Sequence, residues 1–339
     1  MTATTTTTSM RAVVRDHYGS ADVLRVALTT RPEPADNEVL VRVHAAGLDR
    51  SVWHLMTGLP YLGRLAFGIR KPRNPVLGLD VAGTVVAVGS AVTSFSLGDE
   101  VYGFANGSFA EYAVARADKL ALKPGNLSFE QAAVVPVSAA TALQALCDVG
   151  RVATGQRVLV IGASGGVGSY GVQLAKAFGA EVTGVCSTGK VDLVRSLGAD
   201  HVVDYTDADF ADGVERYDLV LDIGGDSAPS KLRRLLTPTG TAVIVGGEGG
   251  GSWTGMGRQL RALAMSMFVR QRLTTFIAKQ RAADLARLAE LIEAGKVTPS
   301  VDRTYPLDRV PDAMRYLVAG KARGKVAIQV SSGSDPERV

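Results

Sequence analysis

A glycine-rich turn between a short apolar run and a helical pattern constrains this chain more than any other feature. Residues 158–161 and 182–186 are apolar runs of strand length, and between them a helical pattern ends at Gly179. The turn holds Gly162, Gly165, Gly166 and Gly168. Glycine lets the backbone approach a pyrophosphate closely, and the helix N-terminus beyond offers unpaired N–H groups to that anion. The order strand, turn, helix, strand therefore predicts a dinucleotide-binding fold.

The end of the second apolar run predicts which dinucleotide binds. An Asp or Glu at this position usually holds the ribose 2′-hydroxyl of NAD. Here Ser187, Thr188 and Lys190 follow the run, and the acid Glu181 stands at its other end. Hydroxyls and an ammonium suit a phosphate, so the prediction is NADPH. The alternative is that these are ordinary polar turn residues.

Composition excludes several classes of protein. The 339 residues suffice for two domains, and the two cysteines, Cys147 and Cys186, make neither a disulfide framework nor a metal cluster. No apolar run approaches the roughly 18 residues of a membrane span. The net charge of +4 comes without the aromatic-interleaved basic motif of a nucleic-acid binder. We predict a cytoplasmic protein with neither a membrane nor a nucleic-acid partner, and disorder in the threonine-rich N-terminus and in residues 331–339.

The order of patterns along the chain predicts two kinds of domain. The first part favours short strands with spaced glycines, typical of a small β-barrel: 11–14, 39–45, 76–88, 97–103 and 108–114. Ser128 and Gln131 have the spacing of a capping box and introduce a helical passage over residues 132–147. Strands and helices then alternate: strands at 201–204, 219–222 and 241–245, helices at 191–197 and 230–236. A helix at 283–294 and a strand at 325–330 follow.

A basic stretch lies between Glu248 and Asp284, where the sequence has no acid. Its basic residues are Arg258, Arg261, Arg270, Arg272, Lys279 and Arg281. With its apolar residues the stretch could form a helix at a membrane surface. We favour a solvated face beside a substrate cleft or at a subunit contact.

Six motifs together resemble the medium-chain dehydrogenase/reductase superfamily, in its zinc-free quinone oxidoreductase-like branch, and the resemblance covers residues 11–330. They are Gly78-Leu-Asp-Val-Ala-Gly, Gly98-Asp-Glu-Val-Tyr-Gly, Pro136-Val-Ser-Ala-Ala-Thr-Ala, Ala163-Ser-Gly-Gly-Val-Gly, Gly198-Ala-Asp-His-Val-Val-Asp-Tyr and Arg323-Gly-Lys-Val. The resemblance implies an α/β fold, in which a doubly wound parallel Rossmann sheet that binds NADPH (138–277) is inserted in a GroES-like β-barrel catalytic domain (1–137 plus 278–339). It also implies a homodimer.

The resemblance assigns cofactor contacts to residues of this chain. Thr141 would meet the nicotinamide side, and Gly246 and Gly247 would pass near the nicotinamide ribose. Ser164, Gly165, Gly166 and Val167 would lie along the pyrophosphate, and Ser187, Lys190 and Tyr205 would surround the 2′-phosphate. Lys325 is a further candidate. One motif departs from the family, because Leu48-Asp-Arg-Ser51 stands where relatives often have Asn-x-x-Asp.

The zinc ligands of the metal-dependent relatives are missing. Those relatives need a Cys where this chain has Leu48-Asp-Arg-Ser, and a His where it has Leu79-Asp80. A structural zinc would need four closely spaced cysteines, and two distant ones cannot supply them. The sequence therefore predicts no metal.

Without a metal to polarise a carbonyl, hydride transfer requires a carbon that is already electron-poor. The sequence therefore predicts a reductase of an activated C=C bond or of a quinone, acting on a small molecule. Tyr61 and His54 are candidate proton donors, and solvent would also serve. Two alternatives stay open: a reductase of enoyl thioesters, and an NADPH-binding sensor protein without turnover.

Overall fold

The computed structural model describes residues 8–207, 209–211, 215–246 and 253–331. Within these ranges it has fifteen strands: β1 (Ser9–Val14), β2 (Arg25–Thr30), β3 (Glu38–Leu48), β4 (Asp80–Val88), β5 (Glu100–Phe104), β6 (Tyr112–Arg116), β7 (Leu120–Leu122), β8 (Arg157–Ile161), β9 (Glu181–Cys186), β10 (His201–Asp204), β11 (Tyr217–Asp222), β12 (Leu236–Ile244), β13 (Arg272–Thr275), β14 (Val301–Pro306) and β15 (Lys325–Gln329).

The same ranges contain ten α-helices: α1 (Arg50–Thr57), α2 (Arg64–Phe67), α3 (Phe129–Ala133), α4 (Pro136–Gln144), α5 (Gly166–Ala177), α6 (Val191–Ser196), α7 (Pro229–Leu235), α8 (Gly257–Ser266), α9 (Ala282–Glu293) and α10 (Val310–Val318). Ser128 caps α3, and the reciprocal bonds with Gln131 form the predicted capping box. Gly179, just past the end of α5, has a φ of +80° that favours glycine.

A six-stranded parallel sheet forms the predicted Rossmann fold. Its strand order is β10-β9-β8-β11-β12-β13, so the chain moves outward from β8 in both directions. β8 pairs in parallel with β9 on one side and with β11 on the other. Its four apolar residues are buried because both faces of such a sheet are covered by helices. The carboxyl ends of all six strands meet at one edge.

A seven-stranded sheet forms the second unit, in the order β14-β15-β3-β4-β5-β7 with β6 on β3. β14 and β15 follow the parallel sheet in sequence, yet β15 pairs with β3, which precedes it, and β14 pairs with β15. The parallel sheet is therefore inserted in a largely antiparallel one, which confirms the predicted fold class. The domain boundaries at 137/138 and 277/278 stay a prediction.

The two sheets share a core through α4 and α9. Tyr102 on β5 is fully buried, and its hydroxyl donates to the carbonyl oxygen of Leu285 on α9 at 2.6 Å. Buried residues of α4 pack in the same cluster with residues of β8 and β11. Since polar and apolar contacts both cross between the units, the relative position of the sheets is fixed by side-chain packing.

Three predictions about order and membranes can be placed against this fold. The disorder predicted for residues 1–7 and 332–339 lies outside the described residues. The prediction is wrong for Ser331, whose hydroxyl lies 3.1 Å from the Nδ1 atom of His44. None of the helices in the described part of the chain has the length and apolar character needed to cross a membrane.

Candidate cofactor and substrate site

The glycine turn after β8 is shaped by two glycines and left open by a third. Gly162 has a φ of +84°, and a Cβ on Gly168 would lie 2.1 Å from the carbonyl oxygen of Gly162. These two glycines are therefore required by the turn itself. A Cβ on Gly165 would meet nothing closer than 3.4 Å, and Gly165 caps α5 without any side-chain bond to the first turn. The space beside Gly165 is therefore open, and it adjoins the first N–H groups of α5, which have no intrahelical partner. The predicted pyrophosphate contact requires this arrangement.

A buried lysine lies directly beneath this turn. The Lys325 side chain is 1% exposed, and its Nζ atom donates to the Ser138 hydroxyl at 2.8 Å. The same Nζ lies 3.7 Å from the Asp49 carboxylate and 3.9 Å from the Asp80 carboxylate. A Cβ on Gly166 would come within 3.1 Å of the lysine side chain. We call Lys325, Ser138, Asp49 and Asp80 the Lys325 cluster.

The Lys325 cluster holds four segments of the chain in place. The Asp49 carboxylate accepts the backbone N–H groups of Ser51 and Val52 and caps α1, and the Asp80 carboxylate accepts the N–H of Val137 at 3.0 Å. Burial and the neighbouring Asp49 carboxylate hold the pKa of Asp80 well above its usual range. This cluster supports the glycine turn from below, and the lysine ammonium is directed toward the two acids.

The donor set at this position does not fit zinc. Asp49 and Asp80 stand in the two motifs where zinc-dependent relatives have metal ligands, and the Lys325 ammonium lies between their carboxylates. The Lys325 side chain already supplies a positive charge at the position of the metal. The four side chains of the Lys325 cluster include no thiolate and no imidazole. Within the described ranges, no group of three or more His, Cys, Asp or Glu side chains is arranged to hold a metal ion.

The residues predicted to hold the 2′-phosphate lie together after β9. Ser187 is half-buried, the Thr188 hydroxyl lies 2.7 Å from that of Thr206, and Tyr205 is 56% exposed. Lys190 donates to the carbonyl oxygens of Gly320 and Ala322, each at 2.9 Å. Burial lowers the pKa of Lys190. Because an ammonium has three donors, one N–H of Lys190 is left for a ligand.

One acid near this group was missed by reasoning from β9 alone. Asp204 ends β10 and lies beside Cys186, the last residue of β9, in the parallel register. Its carboxylate accepts the N–H and the hydroxyl of Thr206 at 2.9 and 2.7 Å. Bonds from Thr188 and Thr206 lower the pKa of Asp204, so it is ionised. These bonds keep the Asp204 carboxylate within the turn that follows β10.

A buried ion pair lies at the carboxyl ends of β11 and β12. Arg258 on α8 is 5% exposed and Asp222 is fully buried, and their side chains are hydrogen-bonded. Arg258 also donates to the carbonyl oxygens of Gly225 at 2.9 Å and Gly246 at 2.8 Å. Burial raises the pKa of Asp222 to about 6, although Arg258 acts in the opposite direction. The ion pair joins the loops after both strands, where Gly246 is predicted to pass the nicotinamide ribose.

This ion pair corrects the interpretation of the basic stretch. Arg258 does not belong to a solvated face, because its side chain is buried and forms an ion pair with Asp222. Arg281 pairs with Asp148 at 2.6 Å, and Arg272 donates to the carbonyl oxygen of Val149 at 2.9 Å. The absence of acids in the local sequence did not indicate these distant partners. Gly247, the other residue predicted at the ribose, lies outside the described residues.

Thr141 lies one turn beyond Ser138 on α4, on the helix face that reaches the glycine turn. Its hydroxyl donates to the carbonyl oxygen of Val137 at 2.6 Å, so its lone pairs remain free to accept a hydrogen bond. Its contact with the nicotinamide stays a prediction, as do the roles of the other cofactor residues.

The two candidate proton donors occupy the loop that follows β3. His54 on α1 is partly buried, and its Nδ1 donates to the carbonyl oxygen of Leu59 at 2.7 Å. In the neutral ring Nε2 is then an acceptor, so His54 would donate a proton only when charged. Tyr61 is 41% exposed, and its ring packs edge-on against Trp253 at 5.7 Å. Because Trp253 precedes α8, this contact joins the two units, between which the family resemblance implies a substrate cleft.

Comparisons with known proteins agree with this architecture. A family model described as Zinc-binding dehydrogenase matches residues 197–328, and one described as Alcohol dehydrogenase GroES-like domain matches residues 35–125. The chain is 36% identical over 340 residues to the chloroplastic NADPH-dependent alkenal/one oxidoreductase of Arabidopsis thaliana, covering 94% of this chain and 79% of that protein.

Two solved structures extend the comparison to the whole fold. The quinone oxidoreductase from Coxiella burnetii superposes with a TM-score of 0.85 and 28% identity, covering 96% of this chain and all of that one (100%). The CurK enoyl reductase superposes with a TM-score of 0.84 and 26% identity, covering 95% and 99%.

A parallel dinucleotide-binding sheet inserted in a GroES-like sheet, with an open glycine turn at its edge, defines an oxidoreductase that uses a nicotinamide cofactor and a small-molecule substrate. The chain belongs to the medium-chain dehydrogenase/reductase superfamily, as the sequence motifs predicted.

Proposed function

We propose that the protein is an NADPH-dependent reductase that transfers hydride, without a metal, to an activated C=C bond or to a quinone. The observation that carries this proposal is the Lys325 cluster. Its ammonium lies between Asp49 and Asp80, where zinc-dependent relatives need metal ligands. This donor set offers no Lewis acid to an alcohol or a simple ketone, so the substrate must be electron-poor on its own.

The chain's own residues would bind, orient and exclude water. Ser164 to Val167 and the first turn of α5 would hold the pyrophosphate, and Ser187, Thr188, Lys190 and Tyr205 would hold the 2′-phosphate. NADPH supplies the hydride when bound. Thr141 and Gly246 would position its nicotinamide end, and Lys325 would act through the glycine turn as a positioning residue. The proton that follows would come from Tyr61, from charged His54 or from solvent.

A reductase of enoyl thioesters is the second candidate. Two segments that meet at the Tyr61–Trp253 contact lack acids, residues 50–79 and the described residues 253–283. A basic cleft mouth would attract the phosphates of a thioester carrier. The enone or quinone reductase remains our first proposal, since the exposed side chains at this mouth are largely apolar.

Single-turnover kinetics test the proposal. We expect NADPH-loaded protein to lose its nicotinamide absorbance when mixed with an enone or a quinone, and to do so equally fast in chelator. Faster oxidation by enoyl-CoA would favour the second candidate, and no oxidation by any of the three would favour a sensor without turnover. Activity that disappears in chelator and returns with zinc would contradict the metal-free mechanism.

We further propose a homodimer in the cytoplasm. β13 ends the parallel sheet, so among the described residues one of its edges has no strand partner. The neighbouring helix region presents an apolar stripe at helical spacing, 38–76% exposed: Met256, Leu260, Leu263 and Met267. The cytoplasmic assignment is supported by the two free cysteines, Cys147 and Cys186.

Light scattering should give the mass of a dimer at micromolar concentration. Leu260→Asp with Leu263→Asp should shift it to a monomer, because both positions would place charge in the apolar stripe. Leu28→Asp is the matched control, since Leu28 is 72% exposed on β2 and should leave the mass unchanged. A monomeric wild-type protein would contradict this arrangement.

A further inference from the structure

Residues 61–73 carry an unusual density of exposed apolar side chains. We call them the rim segment, because they follow α1 and reach the cleft mouth through the Tyr61–Trp253 contact. The exposed fractions are 41% for Tyr61, 51% for Leu62, 62% for Leu65, 38% for Phe67 and 66% for Ile69. A soluble surface rarely groups so many large apolar side chains without a partner.

The rim segment also lacks acids and ends in a cluster of basic residues. The sequence has no acid between Asp49 and Asp80, and Arg64, Arg70, Lys71 and Arg73 fall within the segment. Arg70, Lys71 and Arg73 are exposed, and no carboxylate of the described residues forms an ion pair with them. Their positive charge is therefore available to an external anion.

Hydrogen bonds hold the rim segment in this exposed position. The Tyr18 hydroxyl donates to the carbonyl oxygen of Gly68 at 2.6 Å, and Arg64 Nε donates to that of Gly58 at 2.9 Å. The N–H of Arg73 donates to the carbonyl oxygen of Phe67 at 2.8 Å. Two of these bonds fix the backbone on either side of Gly68, and the third ties the Arg64 side chain to the end of α1. In this conformation the apolar side chains of the rim segment are exposed.

We propose that the rim segment docks on an anionic phospholipid surface, which replaces the prediction from the sequence that the protein has no membrane partner. Exposed apolar side chains over residues 61–69 are followed directly by three exposed cations over residues 70–73, so the apolar side chains can enter the acyl boundary while the cations meet phosphates. Trp253, 78% exposed beside Tyr61, has the amphipathic ring that is favoured at headgroup level. A protein partner would instead favour an apolar centre with a polar rim. Such surface contact needs no membrane-spanning helix, and none of the described helices is one.

Docking would place the cleft mouth at the lipid surface. This consequence rests on the proposed function, because an apolar quinone or alkenal dissolved in the bilayer would then enter without crossing water. The docking itself does not depend on turnover. A binding measurement therefore tests it independently of the reductase activity.

Sedimentation with vesicles tests the proposal. We expect the protein to bind phosphatidylcholine vesicles that contain phosphatidylserine, to bind pure phosphatidylcholine weakly, and to be released by salt. Arg70→Gln with Lys71→Gln should weaken binding about twenty-five-fold, since each removed cation lowers the affinity about fivefold. Leu65→Ser with Ile69→Ser should weaken it similarly at any salt concentration.

Two matched controls separate the rim segment from general charge and exposure. Arg233→Gln with Arg234→Gln removes two exposed cations from α7. Leu97→Ser changes a side chain that is 67% exposed. Leu97 lies beyond the C-terminal end of β4, whereas Asp80 is at the N-terminal end of that strand. Both controls should bind vesicles like the wild type.

Three outcomes would overturn the proposal. They are no preference of the wild type for anionic vesicles, equal weakening in the control variants, and a changed light-scattering mass in Leu65→Ser with Ile69→Ser, which would make a second copy the occupant. Tight binding of an acidic carrier protein through Arg70 and Lys71, without vesicle binding, would likewise replace the lipid by a protein partner. A protein that binds vesicles but lacks reductase activity would keep this proposal and remove only the proposed function.

Discussion

Arg258→Met should lower the free energy of unfolding by about 3–5 kcal/mol, a large effect for one side chain. The guanidinium is 5% exposed and donates to Asp222 and to the carbonyl oxygens of Gly225 and Gly246. Methionine fills the space but leaves a buried acid and two carbonyl groups without their donor. Urea unfolding measures the loss. Arg261→Met is the control, because Arg261 is exposed on the same helix and, among the described residues, hydrogen-bonds only to the carbonyl oxygen of Gly257.

The loss should also depend on pH in a defined direction. The pKa of Asp222 rises from 3.8 to about 6 on folding, so its ionisation lowers the stability of the wild type as pH rises between these values. Without Arg258 this pKa rises further, and the variant continues to lose stability above about pH 6. The deficit should therefore be larger at about pH 8 than at about pH 5. Adding Asp222→Asn should remove this pH dependence, and a deficit that stays constant in the single variant would contradict the ion-pair explanation.

Ser187→Asp should reverse the coenzyme preference from NADPH to NADH. The new carboxylate would lie where the 2′-phosphate is proposed to bind, and would repel it. We expect the NADPH affinity to fall by a factor of about ten to a hundred or more. A charge-assisted contact worth about 1.5–3 kcal/mol corresponds to such a factor. Fluorescence titrations with both coenzymes measure it. Ser196→Asp adds the same charge at the far end of α6 and should leave the preference unchanged.

Lys190→Ala should lower the ratio of NADPH to NADH affinity by a similar factor. The ratio is the appropriate readout because Lys190 also binds the carbonyl oxygens of Gly320 and Ala322, and losing those bonds would affect both coenzymes. A wild type that binds NADH as tightly as NADPH would contradict the interpretation of residues 187–190. So would equal weakening of both coenzymes by Lys190→Ala.

The fold was predictable because its signals are local. A buried strand, a glycine turn and a helix occur within thirty residues, and the alternation of strand and helix continues beyond them. The return of β15 to β3 was not visible as a pattern and came from the family resemblance. The open space beside Gly165 is also a local feature, because it belongs to the turn between strand and helix that the sequence predicts.

The side-chain pairings of the site were not predictable, because they join residues far apart in sequence. Arg258 pairs with Asp222 across 36 positions, and Lys325 reaches Ser138 across 187. Reading Arg258 among other basic residues suggested a solvated face, since local composition does not record a distant buried acid. Asp204 was missed for the same reason, because parallel pairing brings it beside Cys186.

The turn before β15 has a consequence for how the protein is made. The N–H of Gly324 donates to the carbonyl oxygen of Ser164 at 2.8 Å, and Lys190 bonds to Gly320, 130 positions later in the chain. During synthesis, the glycine turn and the whole parallel sheet therefore emerge from the ribosome before residues 320–324, which hydrogen-bond to them. The nascent sheet can pair its strands early, but the proposed dinucleotide site would be complete only when the returning strand has emerged from the ribosome. Coenzyme would then bind as a late step of synthesis, after both units have closed on each other.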